Sequence, residues 1–354
     1  MYKKFFMGIA AMAALTLVSC SSDDLNSLSD NSSKNEAISF DGYLGRSAVA
    51  VNGSRGSVLE IDNLRNSSEG FGVFGYHNSS APNHSSETEQ SFDANLFNNE
   101  KVTYDASAGT SAWKYSPLKY WPTDGHVDFL AYAPRVDSKQ LKGSSIDFTV
   151  EGDAANQKDL LWASAIGQTK QTISSTGNKV NFQFAHALSR LGYTVKLKET
   201  YTNVTIKLNK ITLAGSSDAS KTAFYKEGTI DLSTGEWTPS TSDEKLNFEW
   251  FTNTDGTELT IATTDNANNY LFVIPQKFSA SASDQLYVIV DYTITYSDNT
   301  TVKTKVCKQL EWDFKQSKAY TINLTIGLTP IEFNADVTGW DPTNGTAIRI
   351  DSWE

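Results

Sequence analysis

The sequence predicts an all-β protein made of antiparallel β-sandwiches. Three observations carry this reading. Apolar residues alternate with polar ones at a period of two along most of the chain. Helical periodicity is almost absent, and clusters of Gly, Asn, Asp and Ser interrupt the pattern at short intervals. The 354 residues carry a net charge of −11 and a pI of about 4.9, with Lys and Arg scattered singly. No nucleic-acid partner is expected, because such binding is dominated by basic contacts to phosphate.

Lys3 and Lys4 give the chain a positive start, and Phe5 to Val18 form an apolar run of 14 residues. That is too short to cross a bilayer core, which needs about 20. A basic start, a short apolar middle and a small-residue junction describe a secretory signal over 1–19. The junction Leu17-Val18-Ser19-Cys20 resembles the bacterial lipobox. There, cleavage between Ser19 and Cys20 leaves the cysteine first and a lipid such as palmitate is attached. No second apolar stretch is long enough to span a membrane, so anchoring is expected through lipid alone.

Once Cys20 carries lipid, Cys307 is the one cysteine left. No intrachain disulfide and no cysteine-based zinc site are then expected. The fold must rely on core burial, which is feasible for a mature chain of about 335 residues, a length that suggests two domains.

Residues 20–36 are polar and acidic without periodicity, so they read as a flexible tether. Within 37–51, Ile38 and Phe40 share one parity and Leu44 is in phase. This is a β-segment inside an otherwise polar leader. Arg46 in YLGRSA and Arg55 in NGSRGS follow, both in small-residue surroundings that a protease can reach.

The first half then offers strands at GFGVFGY (70–76), DFLAYAP (128–134) and VNFQF (180–184). The polar stretches 77–91 and 135–157 read as long loops. Short helical turns are expected at AHALS or KDLLWAS. A boundary near residue 187 divides a first domain, 37–187, from a second, 188–354.

The second half reads as strands with clear faces. GYTVKLK sets Tyr193, Val195 and Leu197 together. NVTIKLNKITL aligns Val204, Ile206 and Leu208, then slips phase to Ile211 and Leu213, which predicts a bulge or tight turn at Asn209-Lys210. GTIDLSTGEW is a short strand closed by a turn. LYVIVDYTITYSDNTTVKTKVCKQL is a long hairpin turning at SDN, and AYTINLTIGL follows with Tyr320, Ile322, Leu324 and Ile326 on one face.

Catalytic constellations are missing: there is no G-x-S-x-G, H-E-x-x-H or P-loop, so neither an enzyme nor a cofactor is expected. His77 and His84 lie seven apart in a polar stretch and read as a solvated pair rather than metal ligands. His126 stands apart from them. His186, beside Phe182, Phe184 and Leu188, reads as a buried, hydrogen-bonded structural histidine.

Aromatics are frequent, with 8 Trp, 15 Tyr and 18 Phe, and WKYSPLKYWPTDG concentrates Trp113, Tyr115, Tyr120 and Trp121. Two readings stand. One is cross-strand packing that leads into a turn at Pro122–Gly125. The other is a sugar-stacking platform, which would make the chain a surface-anchored glycan-binding lipoprotein.

FGVFGY (71–76), WKYSPLKYWPTDGHVDFLAYAP (113–134), KDLLWAS (158–164) and VNFQFAHALSRL (180–191) occur in that order after a lipobox. Together they resemble the fimbrillin family, the lipoprotein pilin subunits of type V pili in Bacteroides-type bacteria. VIPQ (273–276) and VTGW (337–340) fit more loosely. The acidic tether is also similar to the surface-export signal of such lipoproteins.

The resemblance implies two tandem transthyretin-like sandwich domains and a structural role in a cell-surface fimbrium. It further implies that a trypsin-like protease cuts after an arginine, removes the N-terminal strand carrying Ile38, Phe40 and Leu44, and so opens an apolar groove. A strand from the next subunit, usually its C-terminal tail, fills that groove. The family's spacing favours Arg55 as the cut, with Arg46 the alternative. In DPTNGTAIRIDSWE (341–354), Thr346, Ile348 and Ile350 alternate with Ala347, Arg349 and Asp351. The segment is either such a donor strand or the last strand of the second domain. The implied partners are other pilin subunits, as a homo- or hetero-polymer, the outer membrane through the lipid anchor, and a host or bacterial surface receptor used in adhesion. Stalk, tip and accessory positions all stay open.

Overall fold

The strand His126–Ala133 is buried at every position, although an antiparallel strand commonly leaves one face to water. The surrounding architecture explains it. The computed structural model describes residues 36–44, 59, 61–81, 92–107, 112–240, 244–265, 269–280, 283–328 and 332–339. The expectations placed on Ser19, Cys20, Arg46, Arg55 and His84, and on Ile348 and Ile350 within 341–354, lie outside the described residues.

The described residues are all-β apart from a six-residue helix, Ile61–Asn66, and two short 3-10 turns, Ala154–Asn156 and Thr172–Thr176. The strands that bear on function are β1 (Phe40–Leu44), β2 (Phe71–Asn78), β3 (Phe97–Asp105), β4 (Ala112–Lys114), β5 (His126–Ala133), β6 (Leu141–Lys142), β7 (Ser145–Thr149), β8 (Leu161–Gln168), β9 (Val180–His186), β10 (Ser189–Leu197) and β11 (Val204–Ala214). Seven of them form one sheet in the order β1-β9-β8-β5-β2-β3-β4. Its pairings are antiparallel except for β1 with β9, which is parallel.

This sheet is covered on both sides where β2 and β5 run. Phe71, Val73, Val127, Phe129, Ala131 and Ala133 point into one apolar cluster. Phe74, Leu130 and Tyr132, on the opposite parity, point into a second and larger cluster. A strand buried on both faces must be apolar at successive positions, which is why FLAYA shows no alternation. The first cluster lies inside the curl of the sheet, whose two edge strands, β1 and β4, pack against each other.

The second cluster gathers apolar residues from the described strands after β9. β10 pairs in parallel with Lys318–Ile326, and β11 is flanked by Phe248–Glu258 and Leu286–Tyr296. The slip expected at Asn209-Lys210 is a register shift between Leu208 and Lys210 in both ladders. One extra residue there moves the inward parity from even to odd, so Ile206, Leu208, Ile211 and Leu213 all stay buried. The expected hairpin is Leu286–Tyr296 with Thr301–Leu310. Asn299 takes a φ of 65° in its turn, a region that Asn tolerates better than most residues.

Two local expectations are corrected. KDLLWAS and AHALS are not helical turns. Leu161, Ala163 and Ala165 of β8 alternate into the first cluster, and β9 and β10 are separated by Ala187 and Leu188 alone, both fully buried. Period-two burial outweighs the helix-forming Ala and Leu. Residues 135–157 are not simply a loop either. They contain β6 and β7, and β7 pairs with Glu227–Asp231, with Ile146 fully buried. The expected boundary near 187 is therefore bridged by strand pairing. Of the stretch 77–91, His77 and Asn78 belong to β2, and 82–91 lie outside the described residues.

Candidate functional site

β1 is five residues long with alternating burial: Phe40, Gly42 and Leu44 point inward, while Asp41 and Tyr43 face water. It reaches the sheet by changing partners at Ser39. Before it, residues 36–38 run antiparallel to 119–121. The Ile38 N–H donates to the Lys119 carbonyl at 2.8 Å and the Trp121 N–H to the Glu36 carbonyl at 3.1 Å, with a bridge between Ala37 and Tyr120. After it, Phe40 to Leu44 run parallel to Val180 to Phe184. The Val180 N–H donates to the Ser39 carbonyl at 2.8 Å. This stretch thus closes the gap between the two edges of the curled sheet.

The three leader residues singled out from sequence meet in one groove. Ile38 and Phe40 are 1% exposed and Leu44 is 8% exposed. The Phe40 ring lies 5.4 Å from Phe97, 5.4 Å from Tyr115, 5.6 Å from Phe129 and 5.6 Å from Phe182. Burying each such side chain is worth about 1.5–3 kcal/mol, against an ordering cost of about 1–2 kcal/mol per residue. Gain and cost are of comparable size, so cutting the chain after β1 weakens its hold on the groove.

Two groove features escape a reading by hydrophobic pattern. Tyr115 donates its hydroxyl proton to the Ile38 carbonyl at 2.7 Å and accepts from the Lys119 N–H at 3.3 Å. Burial raises the pKa of its phenol, keeping it a neutral donor. Gly42 is the second feature. A Cβ added there would sit 3.2 Å from Phe184 Cε2, 3.6 Å from Phe71 Cε1 and 3.7 Å from Trp113 Nε1. A small residue in phase between Phe40 and Leu44 was the signal in the sequence.

A buried anchor lies nearby. The Asp159 carboxylate, fully buried, accepts from His186 Nδ1 at 2.7 Å, from the Leu59 N–H at 3.1 Å and from the Leu160 N–H at 2.8 Å. His186, 4% exposed, is thus the structural histidine expected. Leu59, the first described residue after β1, is tied through Asp159 to the end of β9. His77 is spent on Asp124, with Nε2 at 3.0 Å from its carbonyl, and His126 is buried with Nδ1 at 2.9 Å from the Ala81 carbonyl.

The sugar-platform reading is overturned. Trp113 and Trp121 are each 5% exposed. Trp113 packs edge-on against Phe71 at 4.9 Å and Tyr104 at 5.1 Å, and Trp121 against Phe129 at 6.1 Å. Of that cluster Tyr120 is exposed and Tyr115 half-buried, so no pair of ring faces is offered to a ligand.

The fold and groove define a class: a β-protein whose first described strand fills a slot in a sheet formed by later residues. The fimbrillin-like family matches residues 60–340, and the chain belongs to that family. Fimbrium subunit Fim1C of Phocaeicola vulgatus is 24% identical, over 97% of this chain and 98% of its own. Among solved structures, a fimbrial assembly protein from Parabacteroides distasonis overlaps 88% of this chain and 99% of its own, at 10% identity and a TM-score of 0.37. The tip fimbrial protein Mfa3 from Porphyromonas gingivalis, with a C-terminal truncation, overlaps 76% of this chain and 99% of its own, at 13% identity and a TM-score of 0.35. Those overlaps are loose, and membership rests on the match over 60–340.

Proposed function

We propose that this chain is a structural subunit of a cell-surface fimbrium, assembled by strand complementation and serving adhesion. β1 acts as a removable stand-in. A trypsin-like protease cuts after Arg55, or after Arg46, and the segment carrying Ile38, Phe40 and Leu44 leaves its groove. The strand 341–354 of a neighbouring subunit, with Ile348 and Ile350 inward, then takes its place. Before processing, the precursor is held at the outer membrane through lipid on Cys20. Its partners are further subunits and a surface receptor.

The observation that carries this reading is the position of β1. It is attached to the sheet by parallel pairing with β9 and is reached through a leader, whereas every other strand of the sheet comes from residues 71–186. Its departure exposes unpaired backbone on β9 and a groove lined by Phe71, Phe97, Phe129, Phe182 and Phe184, a strong demand for a replacement strand. Leu59, fastened to Asp159, keeps the start of the trimmed chain in place.

The test is limited trypsin digestion of the purified precursor, followed by mass spectrometry and size-exclusion chromatography. Early cleavage at Arg55 or Arg46, loss of residues before it and growth of polymers are expected. First cleavage within 61–326, or a trimmed core that stays monomeric and keeps β1 bound, would overturn the proposal.

A further inference from the structure

The Trp113 indole N–H is buried and has no hydrogen-bond partner among the described residues. Its Nε1 lies beside the inward position that Gly42 occupies, 3.7 Å from where an added Cβ would sit. The present occupant therefore leaves a buried donor unsatisfied where β1 packs closely against Phe184, a costly arrangement for an N–H group. A residue with a Cβ and a hydroxyl would fit differently. The Phe184 ring edge, 3.2 Å from that Cβ, must give by a few tenths of an ångström. The hydroxyl, one bond further on, then comes within N–H···O range of Trp113, about 2.9 Å. Each further side-chain atom must be fitted between the Phe71 and Phe184 rings, 3.6 and 3.2 Å from that Cβ, so a small residue is favoured there.

We propose that Trp113 sets the register and direction of the strand that replaces β1, selecting serine at the pinch, and that the occupant is residues 348–354 of a second copy of this chain. This rests on the strand-exchange reading and adds which residue goes where. Within 341–354, two apolar residues followed by a small one at alternate positions occur once: Ile348, Ile350 and Ser352. Laid in the direction of β1, they take the places of Ile38, Phe40 and Gly42. Glu354 then stands where Leu44 does, the most exposed of the three leader residues at 8%. Laid in reverse, the same two isoleucines bring Thr346 to the pinch, where the rings disfavour its branched Cβ. The exchange thus gives the Trp113 N–H an acceptor that β1 does not supply.

The experiment trims the chain after Arg55 at a concentration too low for polymers to grow, quenches the protease, and titrates in peptides in large excess over the chain's own tails, with binding read by tryptophan fluorescence. Peptide 36–44 tests the groove alone. Peptide 344–354 is expected to bind, Ser352→Ala to bind roughly 2- to 10-fold more weakly, and Ser352→Leu to fail. In a Trp113→Phe chain the penalty for Ser352→Ala is expected to vanish. Equal binding of the serine and alanine peptides to the unsubstituted chain would overturn the register, as would an undiminished penalty in Trp113→Phe. If peptide 36–44 binds and 344–354 does not, the occupant is wrong. If neither binds, strand exchange itself fails.

Discussion

The Phe40 ring stacks on Phe182 at a centroid distance of 5.6 Å and an interplanar angle of 26°. Phe182 belongs to β9, the strand that β1 pairs with in parallel. The contact therefore fastens the leader to the sheet through side chains as well as backbone.

Phe40→Ala in the uncut chain empties a site surrounded by four rings. A loss of about 3–5 kcal/mol is expected for such a truncation, confined to the unfolding of the sheet that β1 closes. Urea unfolding followed by tryptophan fluorescence measures it. A loss below about 1 kcal/mol, far under the usual range, would mean that the groove collapses readily and that β1 contributes little.

The groove was legible in part. Ile38, Phe40 and Leu44 announce themselves because a solvated face and a buried face alternate along an edge strand, and period two survives in the sequence. β5 announces itself as a strand but hides its faces, since both are covered. The pairing of β7 with Glu227–Asp231 could not be read at all. It joins residues about 80 positions apart, and the alternation of Ile146, Phe148 and Val150 marks a strand without naming its partner. Asp159 was equally hidden, because its importance lies in three donors from distant parts of the chain.

Tyr115→Phe keeps the ring beside Phe40 and removes the hydroxyl that donates to the Ile38 carbonyl. The net cost is expected at about 0.5–1.5 kcal/mol. The telling readout is kinetic: after cleavage, residues 36–44 should dissociate several-fold faster than from the unsubstituted chain. Stopped-flow fluorescence checks this, and unchanged dissociation would show that Tyr115 has no part in retaining the leader.

Asp159→Ala deprives His186 Nδ1 and the Leu59 and Leu160 N–H groups of their acceptor. Each buried polar group left without a partner costs about 1–3 kcal/mol. Hydrogen exchange should accelerate at Leu59 and across the helix Ile61–Asn66 before it does elsewhere. Asp159→Asn, which keeps one acceptor oxygen, should fall between the two. Uniform acceleration over the whole chain would deny Asp159 a local anchoring role.

Alkaline pH offers a test of the second core. Burial pushes the Tyr193 phenol up from about 10 to about 12, with the neighbouring negative charge of Asp265 adding to the rise, and its ring packs edge-on against Trp250 at 4.9 Å. A raised phenol pKa means that the unfolded chain loses its proton first. Between pH 10 and 12 the folded state holds more protons than the unfolded one, so stability falls as pH rises through this window and is fully present below it. Tyr132, Tyr292 and Tyr320 are shifted the same way, each mainly by burial. The loss is therefore collective, and Tyr193→Phe should make the decline shallower without abolishing it. Urea midpoints measured from pH 8 to 12 for both proteins check this. Equal slopes above pH 10 would mean that Tyr193 titrates as an exposed phenol does, which its packing against Trp250 forbids.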